Sequence, residues 1–516
     1  MPRWFNTAGP CNAANHYMVP VARRLPQVYA LIERDSYFVV HAPRQIGKTT
    51  TLVALAAELT ASGRYAAALV SMEVGAPFGD QIGLAEDAVL GAWRRSIEAD
   101  LPRELWPPPW PEAPVGGRIG AALDAWAEAS PRPLVVFLDE IDALRDDALI
   151  SVLRQLRSGY PQRPAHFPAA VALVGLRDIR DYKVRGDERE HLGTASPFNI
   201  AVESLTLQNF SAAEVAELYA QHTADTGQGF TPEALARTYY WTAGQPWLVN
   251  AIGRQLMDVL VTDRARTIDA ADVDAAAKLL VERQDTHLDS LSERLREPRV
   301  RAIVEPMLEG RSPGSLPNDD VRYVCDLGLM RRAADGTLQV SNPIYKEIIV
   351  RDLLLVPRVA LPRLQPSWLT PAGRLDADQL LASFLAFWRR HGEPVMRSAP
   401  YHEIAPHLVL MAFLDRVANG GGTVEREYAI GSGRMDLCLR LGPDALAIEL
   451  KVWREREPDP REEGLEQLDA YLAGLGLTTG WLVIFDRRPG LPRLAERTGV
   501  EEVMTPGGRA VRLIRA

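Results

Sequence analysis

The sequence predicts an α/β chain in two parts: a parallel sheet covered by helices on both faces, then a separate and smaller α/β domain. Three observations carry this expectation. Short, unbroken apolar runs alternate with amphipathic helical segments through the first part of the chain. A stretch holding Pro357, Pro362, Pro366 and Pro371 interrupts the pattern and reads as an interdomain linker. Beyond it the residues read helix, three strands, helix, strand.

The elements follow in order. Residues 37–42 are all apolar except His41 and predict a buried strand, with Thr49 to Thr60 as the helix behind it. Ala66 to Met72, Leu134 to Leu138 and Ala170 to Gly175 are further runs of the fully buried kind. Trp106 to Pro114 is proline-rich and predicts an irregular loop. From about Leu205 the chain turns helical. Ser211-Ala-Ala-Glu214 has the capping-box spacing, and Thr231-Pro232 places proline at a first helical position. Between about Val300 and Val350, helices precede a short hairpin around Asp335-Gly336, the pattern of a winged helix. After the linker come a helix near 402–418, strands near 423–430, 433–441 and 445–452, a helix near 461–474 and a strand near 480–485. The expected domains are therefore 1–204, 205–290, 291–355, a linker at 356–375, and 376–516.

Composition narrows the function. At 516 residues the chain is longer than one core usually organises. A net charge of −9 excludes a globally basic polyanion binder, so any nucleic acid must be held by local patches. Cys11, Cys325 and Cys438 are odd in number and far apart, which excludes a disulfide framework and a cysteine zinc module. No apolar run reaches the roughly 20 residues of a membrane helix, and none follows Met1-Pro2-Arg3-Trp4 as a signal peptide would. The expectation is a reducing cytoplasm, no membrane and no disulfide partner. Only five of the 58 basic residues are lysine: Lys48, Lys183, Lys278, Lys346 and Lys451. Where arginine serves almost every positive charge, a remaining lysine marks a need for a compact ammonium.

Lys48 lies in Ala42-Pro43-Arg44-Gln45-Ile46-Gly47-Lys48-Thr49-Thr50, between a strand and a helix. Loop amides and the helix N-terminus there would face phosphates, with Lys48 on the β- and γ-phosphates and Thr49 on Mg²⁺. Ala42 stands where the pattern has its first glycine. Leu134 to Leu138 ends in Asp139 and Glu140, placed to hold the Mg²⁺ shell and to polarise the attacking water. ATP and Mg²⁺ are the expected cofactors.

Lys451 lies in Ala447-Ile-Glu449-Leu-Lys451, and Asp436 lies on the preceding strand. Period-two alternation puts Glu449 and Lys451 on one face. A hairpin turning near Gly442-Pro443-Asp444 would bring Asp436 beside Glu449, giving an all-oxygen Mg²⁺ site with Lys451 orienting a water. Glu463, Gln467 and Tyr471 share a face of the next helix. His402 and His407 are five apart with Pro406 between them, so no H-E-x-x-H zinc helix forms.

Residues 15–350 resemble archaeal-type, AAA-like (STAND-related) P-loop ATPases. The resemblance implies further parts: a sensor strand at Val171 to Gly175 followed by Arg177-Asp178, a lid turn Gly244-Gln-Pro246, and an N-terminal segment through His16-Tyr17 flanking the base. Tyr17 and Pro246 join the expected nucleotide site on that ground alone, and Arg177, Arg180 and Arg185 are all arginine-finger candidates. The C-terminal part resembles PD-(D/E)xK nucleases. That resemblance implies Asp436, Glu449 and Lys451 as catalytic, Glu403 as an added carboxylate, and Gln467 as a positioned glutamine. Both together resemble a recurrent bacterial arrangement of such an ATPase with a C-terminal PD-(D/E)xK domain; the expected function is an ATP switch that gates a Mg²⁺-dependent nuclease on DNA, in defence or mobile-element biology, with self-assembly through the ATPase domain. The alternative is a signalling or DNA-remodelling ATPase whose nuclease-like domain only docks a partner. Arg294, Arg296, Arg299 and Arg301 lead into the winged-helix region and could contact DNA.

Overall fold

The computed structural model describes residues 3–144, 146–176, 200–283, 293–308, 317–333, 336–349, 368–398, 405–418, 422–429, 434–455, 457–488 and 490–516. Two compact units emerge. The first is Met1–Arg283 with Cys325–Leu329 and Asn342–Ile344; the second is Gln284–Val324, Met330–Ser341 and Tyr345–Ala516.

The first unit opens with two short helices, α1 (Val21–Arg24) and α2 (Val28–Glu33). It is then built on β1 (Tyr37–His41), β2 (Ala66–Ser71), β3 (Leu134–Asp139), β4 (Ala170–Gly175) and β5 (Ala201–Thr206). Their order is β2-β3-β4-β1-β5, and every pairing is parallel. Successive residues of one strand enter different cores, which is why these strands read as unbroken apolar runs. Tyr37 and Val39 join Trp93, Trp126 and Val136 on one face, while Phe38 and Val40 join Leu52, Leu55 and Phe137 on the other. The covering helices include α3 (Lys48–Ala61), α4 (Ile82–Asp100), α5 (Arg118–Ala129) and α6 (Asp146–Gly159).

Four helices follow: α7 (Ala212–Thr226), α8 (Pro232–Thr242), α9 (Pro246–Gln255) and α10 (Ala270–Arg283). Ser211 and Glu214 form the expected capping box, and Thr231 caps α8 with Pro232 at its first position. Gln245 caps α9 through Leu248 N, a cap the sequence pattern does not announce. Gly244 joins α8 to α9 with φ +73°, and a Cβ there would lie 1.8 Å from the Phe210 carbonyl oxygen. Only glycine fits.

The second unit carries α11 (Pro298–Leu308), α12 (Asn318–Asp326) up to Val324, and the antiparallel hairpin β6 (Met330–Arg332) with β7 (Leu338–Val340). Its last part is a six-stranded sheet of β8 (Gly422–Ala429), β9 (Arg434–Leu441), β10 (Asp444–Trp453), β11 (Gly480–Asp486), β12 (Gly499–Met504) and β13 (Ala510–Arg515), ordered β12-β13-β11-β10-β9-β8. β8, β9 and β10 form an antiparallel meander. β10 then crosses through α15 (Arg461–Leu475) to pair in parallel with β11. Leu465, Leu468 and Leu472 of α15 pack on Ala447, Leu482 and Ile484. On the opposite face, α13 (Ala377–Ser398) sets Trp388 against Phe485, and α14 (Ala405–Ala418) sets His407 against the same ring.

The structure adds to the expectations at three places. Residues 368–375, expected in the linker, belong to the second unit and pack within it. Trp368 meets Phe413, Arg374 Nε donates to Asp444 Oδ2 at 2.7 Å, and the Leu375 amide donates to the same oxygen at 2.9 Å. Helix α13 and the β12–β13 hairpin are additions to the expected elements. No helix of the described residues is long and apolar enough to cross a membrane.

Candidate functional site

In the first unit, the turn between β1 and α3 is shaped by two left-handed residues, Gln45 (φ 60°) and Gly47 (φ 90°). Ala42 is buried, has no positive φ, and donates its amide to the Gly175 carbonyl at 3.3 Å, so alanine serves where the pattern has glycine. Lys48 Nζ donates to the carbonyls of Ala42 (2.7 Å) and Pro43 (2.9 Å), folding the side chain over its own loop. Burial pushes the Lys48 ammonium below its ordinary range, opposed by Asp139 and Asp142. Thr49 Oγ1 donates to Asp139 Oδ2 at 2.7 Å. A hydroxyl beside a carboxylate is the hard-oxygen donor set that Mg²⁺ takes, so these residues fit that ion.

Asp139 is buried, and its other oxygen accepts the Glu140 amide at 3.0 Å. Burial raises its pKa, against the pull of the Thr49 hydrogen bond. Glu140 sits in the left-handed region (φ 56°), and its carboxylate accepts from Ser71 Oγ at 3.1 Å. Burial, then Glu73 and Asp139, raise the Glu140 pKa, the direction that suits a base. Asp142, which belongs to no sequence motif, accepts the Leu176 amide at 3.1 Å and ties the end of β4 to this acidic turn. Arg177, Arg180 and Arg185 lie outside the described residues.

The N-terminal segment reaches α3, where the Cys11 amide donates to Thr50 Oγ1 at 3.0 Å. Tyr17, expected beside a base, is buried in an aromatic cluster with its hydroxyl 3.2 Å from His222 Nδ1 and its ring against Phe5. Pro246 opens α9, and its neighbour Gln245 reaches the phosphate-loop side, Nε2 to the Gln45 carbonyl at 3.4 Å. Arg44 is exposed, Ile46 is buried, and a Cβ at Gly328 would meet Pro43 Cβ at 2.8 Å.

In the second unit, β9 and β10 pair with Leu441 opposite Asp444, so Gly442 (φ 58°) and Pro443 make the turn. That register puts Asp436 directly opposite Glu449. Glu449 is fully buried, and Lys451 Nζ lies 3.5 Å from its Oε1. The same ammonium donates to Gln467 Oε1 at 2.5 Å and to Glu463 Oε1 at 3.0 Å, and Gln467 Nε2 donates to Glu463 at 2.9 Å. Lys451 holds the Glu463 carboxyl below the usual carboxylate range. Glu403 lies outside the described residues. Among the described residues no group of three or more His, Cys, Asp or Glu side chains could hold a metal ion. The arginines before the hairpin are partly spoken for: Arg294 and Arg299 pair with Glu297 at 2.7 and 3.3 Å, and Arg299 lies over the Tyr323 ring.

No protein-family model matches the chain, and no curated protein matches it either. Among solved structures it is similar to a Walker-type ATPase of Pyrococcus abyssi, at 12% identity and a TM-score of 0.47 over 67% of this chain and 99% of that one. It is also similar to the RuvB Holliday junction branch migration motor of Thermotoga maritima, at 18% identity and 0.34 over 64% and 93%. A third is the ORC2 protein of Aeropyrum pernix in ADPNP–ADP complexes, at 14% identity and 0.35 over 64% and 91%. The chain's own strand order, left-handed Gly47 and Thr49–Asp139 contact give the first unit a P-loop NTPase type of α/β fold.

Proposed function

We propose that the protein is an ATP-hydrolysing switch controlling a Mg²⁺-dependent nuclease that acts on DNA. The ATPase half of this reading is supported by Lys48, Thr49 and Asp139 meeting at the end of the parallel sheet. Lys48 would bind the phosphates and the loop amides would orient them. Glu140 would take a proton from the attacking water, with its carboxylate oriented by Ser71. Mg²⁺, held by Thr49 and Asp139, would neutralise charge on the phosphates.

The nuclease half is carried by one observation: Asp436 stands opposite Glu449, while Lys451 on the Glu449 face is bonded to Gln467. Two opposed carboxylate residues supply hard oxygens, and Mg²⁺ bound there would polarise a phosphodiester. Lys451, fixed by Gln467 and Glu463, would hold the water that attacks phosphorus. As the water oxygen bonds to phosphorus the bond from phosphorus to the sugar oxygen would break, the water's proton passing to solvent and the leaving oxygen taking one from it. α11, α12 and the β6–β7 hairpin support a winged-helix reading for the region before this domain.

The test is cleavage of linear, circular and single-stranded DNA by the full chain with Mg²⁺, with and without ATP. The expected result is cutting that vanishes in Glu449→Ala and loses its ATP dependence in Lys48→Ala. Cutting that persists undiminished in Glu449→Ala would remove the nuclease assignment.

A further inference from the structure

Arg24 ends α1, well before the phosphate-binding turn, and no sequence motif includes it. Its guanidinium spans two backbones. Nη2 donates to the Ile46 carbonyl at 3.0 Å, and Nη1 donates to the Gln208 carbonyl at 2.8 Å. The same group lies 4.6 Å from the centre of the Phe210 ring. Phe210 in turn is locked to the lid: its amide donates to the Gly244 carbonyl at 2.8 Å, and Gly244 packs so closely that no Cβ fits. The next residue, Gln245, caps α9 through the Leu248 amide at 2.6 Å and donates back to the Gln45 carbonyl at 3.4 Å.

These contacts close a ring: Gln45 and Ile46 in the loop, Arg24, the Gln208–Phe210 segment, Gly244, Gln245, and Gln45 again. Peptide planarity says what the ring does. In a trans peptide the C=O and the following N–H point in opposite directions. A donor on the Ile46 carbonyl therefore aims the Gly47 N–H the other way, and a donor on the Gln45 carbonyl does the same for the Ile46 N–H. Those amides belong to the turn whose N–H groups would cradle a phosphate. A cation on the carbonyl also polarises the peptide, which strengthens its N–H as a donor.

We propose that Arg24 is a positioning residue for nucleotide, acting through the phosphate-binding loop, and that with Gln245 it transmits loop occupancy to the lid. The idea rests on the nucleotide-binding reading of the first unit. Lysine cannot replace Arg24, because a single ammonium offers neither the two-armed fork nor the flat face that meets Phe210. Burial pushes the Arg24 guanidinium down to about 10, which still leaves it charged at neutral pH.

The experiment uses the full chain as Arg24→Met, Arg24→Lys and Gln245→Ala, with Arg23→Met as the control. Arg23 pairs with Glu217 at the surface and takes no part in the ring. ADP affinity is measured by calorimetry, and amide exchange over 246–255 is followed with and without ADP. Losing a charged donor predicts weakening of about tenfold or more for Arg24→Met. Arg24→Lys should recover only a minor part, and Gln245→Ala should cost about threefold. ADP should protect the first turn of α9 in the unaltered chain and in Arg23→Met, and not in Arg24→Lys or Gln245→Ala. Should Arg24→Met fail to fold, the other two variants still decide. Unchanged protection of α9 in both would overturn the inference while leaving nucleotide binding intact. An unaltered chain that binds no ADP would instead sink the nucleotide reading on which the inference stands.

Discussion

Thr49 donates its hydroxyl hydrogen to Asp139 across 90 positions of sequence, joining the first turn of α3 to the end of β3. The contact pairs the two oxygens that would share Mg²⁺. Replacing Asp139 with asparagine keeps an acceptor and removes the charge. ATP affinity without Mg²⁺ should therefore change little, while the gain on adding Mg²⁺ should fall by about tenfold or more, the scale of a charged hydrogen bond. Calorimetric titration of Asp139→Asn with and without Mg²⁺ reads this directly, and an undiminished Mg²⁺ effect would clear Asp139 of the role.

Glu140 gives a second expectation with a sign attached. If Glu140 is the base, it must be deprotonated, and burial with Glu73 and Asp139 raises its pKa above the ordinary 4.5. ATP hydrolysis should rise with pH through that raised value, so its acid limb should sit above the range of a free glutamate. Glu140→Gln should lower turnover by roughly 10²–10⁴ and keep ATP binding. A variant that hydrolyses ATP at the original rate would assign the base elsewhere.

Gly244 separates backbone strain from steric exclusion. Gly227 has nearly the same conformation, φ 79°, and a Cβ added there would find nothing within 4 Å; at Gly244 the same atom would be driven into the Phe210 carbonyl. Gly227→Ala should therefore cost only the left-handed penalty, about 1–2 kcal/mol. Gly244→Ala adds an overpacking cost and should lose about 3 kcal/mol or more. Urea unfolding of the two variants compares them, and equal losses would mean that the α8–α9 turn relaxes away from Phe210.

Much of this was legible in the sequence because the signals are local. The unbroken apolar runs mark strands buried on two faces, and the capping box and Thr231-Pro232 mark helix starts that the structure contains. The Gly442-Pro443 turn and period-two alternation point to the Asp436–Glu449 register, since a one-residue slip would bury the wrong face. Other elements carry signals that are weaker or less distinctive. Leu380, Leu381, Phe384, Phe387 and Trp388 recur at helical spacing in α13, and Gly507-Gly508 marks the β12–β13 turn. Arg24 and Asp142 could not be read in this way. Their hydrogen-bond partners are backbone groups of Ile46, Gln208 and Leu176, and a backbone group carries no side-chain letter.

The arrangement around Lys451 makes the last prediction, because three groups compete for one ammonium. Gln467 approaches closest, Glu463 is next, and the buried Glu449 is 3.5 Å away. If Lys451 holds the attacking water, then Glu449→Ala and Lys451→Ala should each lower DNA cleavage by about 10² or more. In that case Glu463 and Gln467 would act only by steadying the ammonium, so Gln467→Ala and Glu463→Gln should cost less, about tenfold. The pH dependence follows from the direction of the Glu463 shift. Its carboxyl is held below 4.5 in the fold by Lys451, so the contact is complete above the unfolded value and is lost as pH falls through the lower, folded one. Between about pH 5 and 8 Glu463 stays ionised, and Glu463→Gln should lower the cleavage rate without moving the profile in that window. A profile displaced by Glu463→Gln within it would mean that Glu463 itself carries the proton in the reaction. Lys451 would then be the group that holds Glu463 in place.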